Sequence, residues 1–332
     1  MKKTTDIASA AALLRGGGLV AFPTETVYGL GADAMNASAV RKIFKVKRRP
    51  ADHPLIVHLA MGAPLEPWAA EFGPGARRLA ARFWPGPLTI IVKKNPNVPS
   101  VVTGGQETIG LRTPAHPLAL ALLEAFGGGI AAPSANRFGR VSPTSADDVL
   151  AELNDGVDLV LDGGRSAVGI ESTIVDLSDP TAPAVLRPGA VSIEALEETL
   201  GIRLPLRRGG PVRASGSHES HYAPRAEVLL TTERGAADAA ADCRARGLRI
   251  GLIACGEVAG LPDDVVRLLV ERNLEKLAHG LYAALRTADE LGLASVLVVP
   301  PAEAGLGLAL VDRLKKAAGT RRVDDGAEND KD

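Results

Sequence analysis

A run of basic side chains, Arg41, Lys42, Lys45, Lys47, Arg48 and Arg49, closes on Pro50. Such a cluster could grip a polyanion, with arginine able to hold a phosphate through two parallel hydrogen bonds. Proline disfavours helix in the residue before it, so Lys47, Arg48 and Arg49 fall at the C-terminal end of the preceding helical pattern. Cations are also expected there as partners of the helix dipole, and charge alone leaves both explanations open. The residues that follow favour the first. Pro50-Ala51-Asp52-His53-Pro54 pins a turn between two prolines and leads into an apolar run carrying His58. A rigid turn bearing Arg, His and Asp is suited to holding substrate groups.

Two further segments set small polar groups just beyond apolar runs. Pro23-Thr24-Glu25-Thr26-Val27-Tyr28-Gly29-Leu30-Gly31 offers two threonines, a carboxylate and a tyrosine. Ala132-Pro133-Ser134-Ala135-Asn136 offers a serine and an asparagine. Capping hydroxyls and turn glycines explain each segment taken singly. The commoner signatures are absent: there is no GxxxxGKS/T loop, no GxSxG, no HExxH, and no GxGxxG after the strands beginning at Leu19 and Arg249. A phosphate grip in this chain therefore has to be built from local basic and hydroxyl groups.

Basic and acidic side chains nearly cancel, 38 against 39, for a net charge of −1. That balance counts against a dedicated nucleic-acid coat. Aromatic residues make up only 3%, so the cores must be built from Ala, Leu, Val and Ile. A length of 332 residues fits two domains. Cys243 and Cys255 form no CxxC or Cys/His cluster, which fits a reducing, cytoplasmic setting and offers no protein metal site. Met1-Lys2-Lys3 ahead of an Ala-rich run faintly imitates a signal peptide, but Arg15-Gly16 closes that run as a helix end. No apolar stretch reaches about 18 residues, so no membrane span is expected.

The elements that must position these groups alternate over the first 200 or so residues. Helices are predicted over 6–15 (capped by Thr5), 39–47 (capped by Ser38), 75–83, 117–126, 146–153 and 192–200. Strands are predicted at 19–22, 55–59, 88–92, 108–112, 130–132, 159–161, 172–177 and 185–186. So many strands with few helices between them imply a curved, mixed sheet in an α/β domain spanning 1–203. Residues 204–225 hold Pro205, Gly209-Gly210-Pro211, Gly216 and Pro224 with little periodicity and read as a linker or lid. A smaller domain follows at 226–319, with strands at 226–230, 249–254, 265–269 and 295–299 and helices at 236–246, 274–289 and 306–318. Its regular alternation implies a parallel, Rossmann-like sheet. The charged tail, 320–332, is expected to be disordered.

Taken together, PTETVYGLG, KRRPADHPLIVH, TIGLR, APSAN, VSPT, GIESTIVD and LRPG occur in this order over about residues 8–200. The set resembles the YrdC-type threonylcarbamoyl-AMP synthases, whose KxR and SxN pairs stand here as Lys47/Arg49 and Ser134/Asn136. The linker ending Ser220-His221-Tyr222-Ala223-Pro224, with its Rossmann-like tail domain, is similar to the longer, two-domain form of that family. The resemblance implies an enzyme that makes threonylcarbamoyl-adenylate and pyrophosphate from L-threonine, bicarbonate and ATP. A separate transferase would then pass the threonylcarbamoyl group to tRNA.

The resemblance also implies roles for individual residues. Lys47 and Arg49 would be the catalytic pair. Arg49, His53, Thr108, Ser134, Asn136, Ser142, Arg187 and Tyr222 would bind ATP, His53 standing where the family often has Asn. Thr26, His58, Arg112, Ser172 and the backbone at Ala132 would bind threonine. Magnesium is expected on the ATP phosphates, held by their oxygens and water. A double-stranded RNA-binding or ribosome-associated module without ATP chemistry is the competing reading. Near-neutral charge and the scarcity of stacking aromatics weigh against it.

Overall fold

In the computed structural model, residues 2–214 and 222–319 are described; the proposed tail and the middle of the proposed linker lie outside them. The chain divides into two compact units. The first holds the described residues of Met1–Phe138 and Ser142–Ser217, and the second holds Gly139–Val141 and those of His218–Asp332.

The first unit runs β1 (Lys2–Thr4), α1 (Ile7–Arg15), β2 (Val20–Phe22), β3 (Gly29–Asp33), α2 (Ala37–Lys47), β4 (Ile56–His58), α3 (Pro74–Phe83) and β5 (Leu88–Lys93). It continues through α4 (Ser100–Thr103), β6 (Thr108–Arg112), α5 (Pro117–Phe126), β7 (Ile130–Ala131), α6 (Ala146–Leu153), β8 (Leu159–Leu161), β9 (Thr173–Asp176), β10 (Ala184–Arg187) and α7 (Ile193–Leu200). Among the described residues these strands form one sheet of order β1-β8-β2-β3-β7-β4-β6-β5-β9-β10. Parallel pairs (β4 with β6, β5 with β9) alternate with antiparallel ones (β7 with β4, β5 with β6, β9 with β10), so the sheet is mixed.

Period-2 alternation separates the two faces of its central strands. Val57 of β4, Ile90 and Val92 of β5, Ile109 and Leu111 of β6, and Val175 of β9 share one apolar core with Val40, Ile43 and Phe44 of α2. The intervening residues Ile56, His58, Thr89, Ile91, Thr108, Gly110, Arg112 and Ile174 therefore project from the opposite face. Polar groups crowd that second face, and the candidate site is built on it.

The helix starts differ from those predicted, because a better acceptor stands nearby. α1 is capped by Asp6, whose carboxylate accepts from the Ala8 and Ser9 amides, rather than by Thr5. α2 is capped by Asn36 rather than Ser38 and begins two residues earlier. β3 was not predicted, since its glycines read as a turn.

In the second unit β11 (Glu227–Leu230), α8 (Glu233–Ala245), β12 (Ile250–Ala254), β13 (Val266–Val270), α9 (Leu274–Glu290), β14 (Ser295–Val299) and α10 (Leu306–Ala318) follow in turn. Among its described residues four strands pair, all parallel, in the order β11-β14-β12-β13. No described helix in either unit is long and apolar enough to cross a membrane.

Candidate active site

Arg112 ends β6 on the polar face of the first unit's sheet. The parallel register pairs it with His58 of β4, so the two side chains stand side by side. Arg112 is 4% exposed, and three contacts fix its guanidinium. Nε donates to the Gly86 carbonyl at 3.1 Å and Nη1 to Thr26 Oγ1 at 2.9 Å. Nη2 lies 2.8 Å from Glu25 Oε1. Proton counting shows what Thr26 can offer. Thr24 Oγ1 donates its one proton to the Val27 carbonyl at 2.6 Å, so in the 2.8 Å Thr24–Thr26 pair Thr26 is the donor. With its proton so committed, Thr26 Oγ1 presents lone pairs, one of them already taken by Arg112.

His58 is buried, and its ring meets Phe22 edge-on at 5.9 Å. Burial, then the neighbouring Arg112 charge, push its pKa down to about 3. A neutral imidazole results at ordinary pH, keeping one ring nitrogen as an acceptor. The backbone at Ala132, whose amide donates to the Ile56 carbonyl at 2.9 Å, borders the same strand.

Ser172 precedes β9 and pairs with Thr89 Oγ1 at 2.9 Å. Arg187 reaches it from β10, giving Nε to the Ser172 carbonyl and Nη2 to Ser172 Oγ, both at 3.1 Å. A bulge makes this reach possible. Val185 opposes Val175, yet Arg187 and not Leu186 opposes Ile174, so one extra residue re-aims the arginine. Ser142 Oγ donates to Glu171 Oε1 at 2.6 Å, and both side chains are buried.

The basic end of α2 is shaped by the same stripe that buries the helix. Val40, Ile43, Phe44 and Lys47 lie at helical spacing on one face, and Lys47 is only 1% exposed. Its ammonium donates to the carbonyls of Ser134 and Asn136, bracing that turn from within. Burial, with Arg49 close by, pushes its pKa well below the ordinary lysine value. Arg48 then adopts φ 52°, the left-handed conformation. The Arg49 amide bonds back to the Phe44 carbonyl at 3.0 Å and the Arg48 amide to Lys45 at 3.3 Å, a Schellman closure. That reversal sends Arg49 towards the 50–54 turn, where Nη2 donates to the Pro54 carbonyl at 3.1 Å. Phe138 links this group: the Arg49 guanidinium carbon is 5.7 Å from its ring centre and the His53 ring 5.2 Å away, tilted at 64°.

Thr108 lines a small, open cleft with Ile56, Thr89, Gly110, Arg213 and Ala214 on this sheet face. Tyr222 has another setting. It belongs to the second unit, buried there with its ring stacked on Tyr282 at 5.7 Å and the Arg313 guanidinium 5.3 Å from its centre. Glu25, Glu171 and Thr89 were not among the expected ligands of substrate. The first two lay inside quoted motifs, and Thr89 was signalled by a lone hydroxyl residue within the apolar run 88–92.

A family model described as "Telomere recombination" (Sua5, YciO and YrdC proteins) matches residues 12–189. A second, described as "Threonylcarbamoyl-AMP synthase, C-terminal domain", matches residues 191–319. The chain is 43% identical to the threonylcarbamoyl-AMP synthase of Pyrococcus abyssi, over 95% of this chain and 94% of that protein. It is 42% identical to that of Bacillus subtilis, over 96% and 94%. Among solved structures, the P. abyssi Sua5 protein complexed with L-threonine superposes with a TM-score of 0.90 at 40% identity, covering 96% of this chain and 98% of the other.

Proposed function

Because the chain belongs to the threonylcarbamoyl-AMP synthase family in its two-domain form, we propose that it condenses L-threonine, bicarbonate and ATP into threonylcarbamoyl-adenylate and pyrophosphate. The observation that carries this reading is the buried Arg112 guanidinium beside Thr26 and neutral His58. A planar fork matches a carboxylate, and two acceptor groups next to it suit an amine or hydroxyl. The P. abyssi relative described as complexed with L-threonine supports the assignment of that amino acid.

The chemistry asks little of a protein base. Threonine's amine condenses with bicarbonate to a carbamate with loss of water, and a carbamate oxygen attacks the α-phosphorus of ATP with pyrophosphate leaving. The nucleophile is already anionic, so catalysis rests on alignment and on neutralising phosphate charge. Arg49 supplies the phosphate-facing cation of this nucleotidyltransferase. Lys47 stands behind the turn and fixes Ser134 and Asn136 through their backbone carbonyls. Thr108, Ser142, His53 and Arg187 complete the nucleotide side, while Thr26, His58, Arg112, Ser172 and the Ala132 backbone take threonine.

Magnesium would arrive with ATP, screening the phosphates. Phosphate oxygens and water would supply most of its ligands, as this small hard cation prefers on a nucleotide. The product, a reactive acyl-adenylate, requires a transferase to consume it, and we place both in the cytoplasm with tRNA as final acceptor.

Pyrophosphate release with each substrate omitted in turn tests this reading. Release is expected only when threonine, bicarbonate and ATP are all present. Release indifferent to threonine would refute it.

A further inference from the structure

Arg112 would be a poor receptor for a small carboxylate if its guanidinium could swing. Thr26 and the Gly86 carbonyl hold two of its nitrogens, and the third faces Glu25 Oε1 at 2.8 Å. Glu25 is itself immobilised. Its Oε2 accepts from the Ala115 amide at 3.1 Å, and its backbone carbonyl accepts from the Val168 amide at 2.7 Å. The Arg112 and Glu25 side chains are 4% and 11% exposed, so the charges meet where water competes little. A buried guanidinium without a counter-ion is costly, and a carboxylate anchored by a backbone amide offsets that charge and draws Nη2 to one fixed side.

We propose that Glu25 is a positioning residue for amino-acid recognition: it holds Arg112 in the one orientation that leaves the guanidinium aligned for the threonine carboxylate. The proposal rests on the reading that Arg112 receives that carboxylate. Glu25 touches neither reacting atom in this scheme, and its influence passes through Arg112.

The test compares Glu25→Gln, Glu25→Asp and Arg112→Ala in the full chain, using pyrophosphate release to obtain KM for threonine and for ATP, with thermal unfolding alongside. Glu25→Gln keeps the shape and removes the charge. Loss of a charge-assisted contact predicts a rise of about tenfold or more in threonine KM, with ATP KM held within about twofold. Glu25→Asp, which keeps the charge at shorter reach, should recover part of the loss. An unchanged threonine KM in Glu25→Gln would overturn the proposal. So would a parallel rise in both KM values with a lowered Tm, the pattern of a structural defect. If Arg112→Ala raises threonine KM and Glu25→Gln does not, only the positioning role fails. If Arg112→Ala also leaves it unchanged, the threonine site itself is misassigned.

Discussion

Lowering the pH from about 7 to about 5.5 protonates the histidines of the unfolded chain but leaves His58 neutral in the folded one. Its folded pKa is pushed from 6.5 to about 3 by burial and by Arg112. The unfolded state therefore binds the extra proton, and stability falls with pH. The His58 contribution is complete above 6.5 and drains away as the pH drops towards 3. Proton linkage, RT ln(1 + 10^(pKa − pH)) for the unfolded side chain, gives about 1.4 kcal/mol at pH 5.5 against about 0.2 at pH 7. The expected loss is thus about 1.2 kcal/mol, and it is insensitive to the folded value so long as that lies below about 4.5. Urea unfolding of the wild type and of His58→Asn at both pH values isolates this term, because the other titrating groups cancel in the comparison. The variant should lose about 1.2 kcal/mol less than the wild type over that interval. Equal losses would refute the claim that His58 is held neutral. A proton NMR titration gives a second reading, with the His58 ring expected not to titrate above about pH 4.

Other perturbations separate the two halves of the site. Arg49→Ala should raise ATP KM by roughly ten- to a hundredfold with little effect on threonine, and Arg112→Ala the reverse; equal loss of both affinities from either would undo the division. Arg48→Gly should stabilise the protein by up to about 1 kcal/mol in urea melts, since glycine occupies the left-handed conformation without the side-chain clash. Gly189→Ala should destabilise strongly, by about 1–3 kcal/mol or more, because a new Cβ would sit 2.3 Å from the Thr173 amide nitrogen and force apart the strand that follows Ser172. An unchanged Tm would show that the backbone there can yield.

What the sequence disclosed, and what it hid, follows from the range of the forces involved. Locally determined elements were legible: β6, α5, α6, β8, β14 and α10 have the predicted bounds, because their periodicity lies within the segment. β3 was hidden because its glycines serve packing across strands rather than a turn. A Cβ at Gly31 would come within 2.8 Å of both the Phe22 ring and the Ile130 methyl, a constraint visible only once those strands are neighbours. Glu25 was hidden for the same reason, since the contact between its neighbour Thr26 and Arg112 spans 86 positions. Lys47 shows the opposite case. Its charge suggested a solvated helix end or a phosphate clamp, yet the spacing of Val40, Ile43 and Phe44 already carried it onto the buried face. Periodicity outweighed charge there because burying the helix stripe commits every residue on it, and a lysine so committed must find carbonyls. It finds those of Ser134 and Asn136, which is how a packing rule joins the KxR and SxN segments into one site.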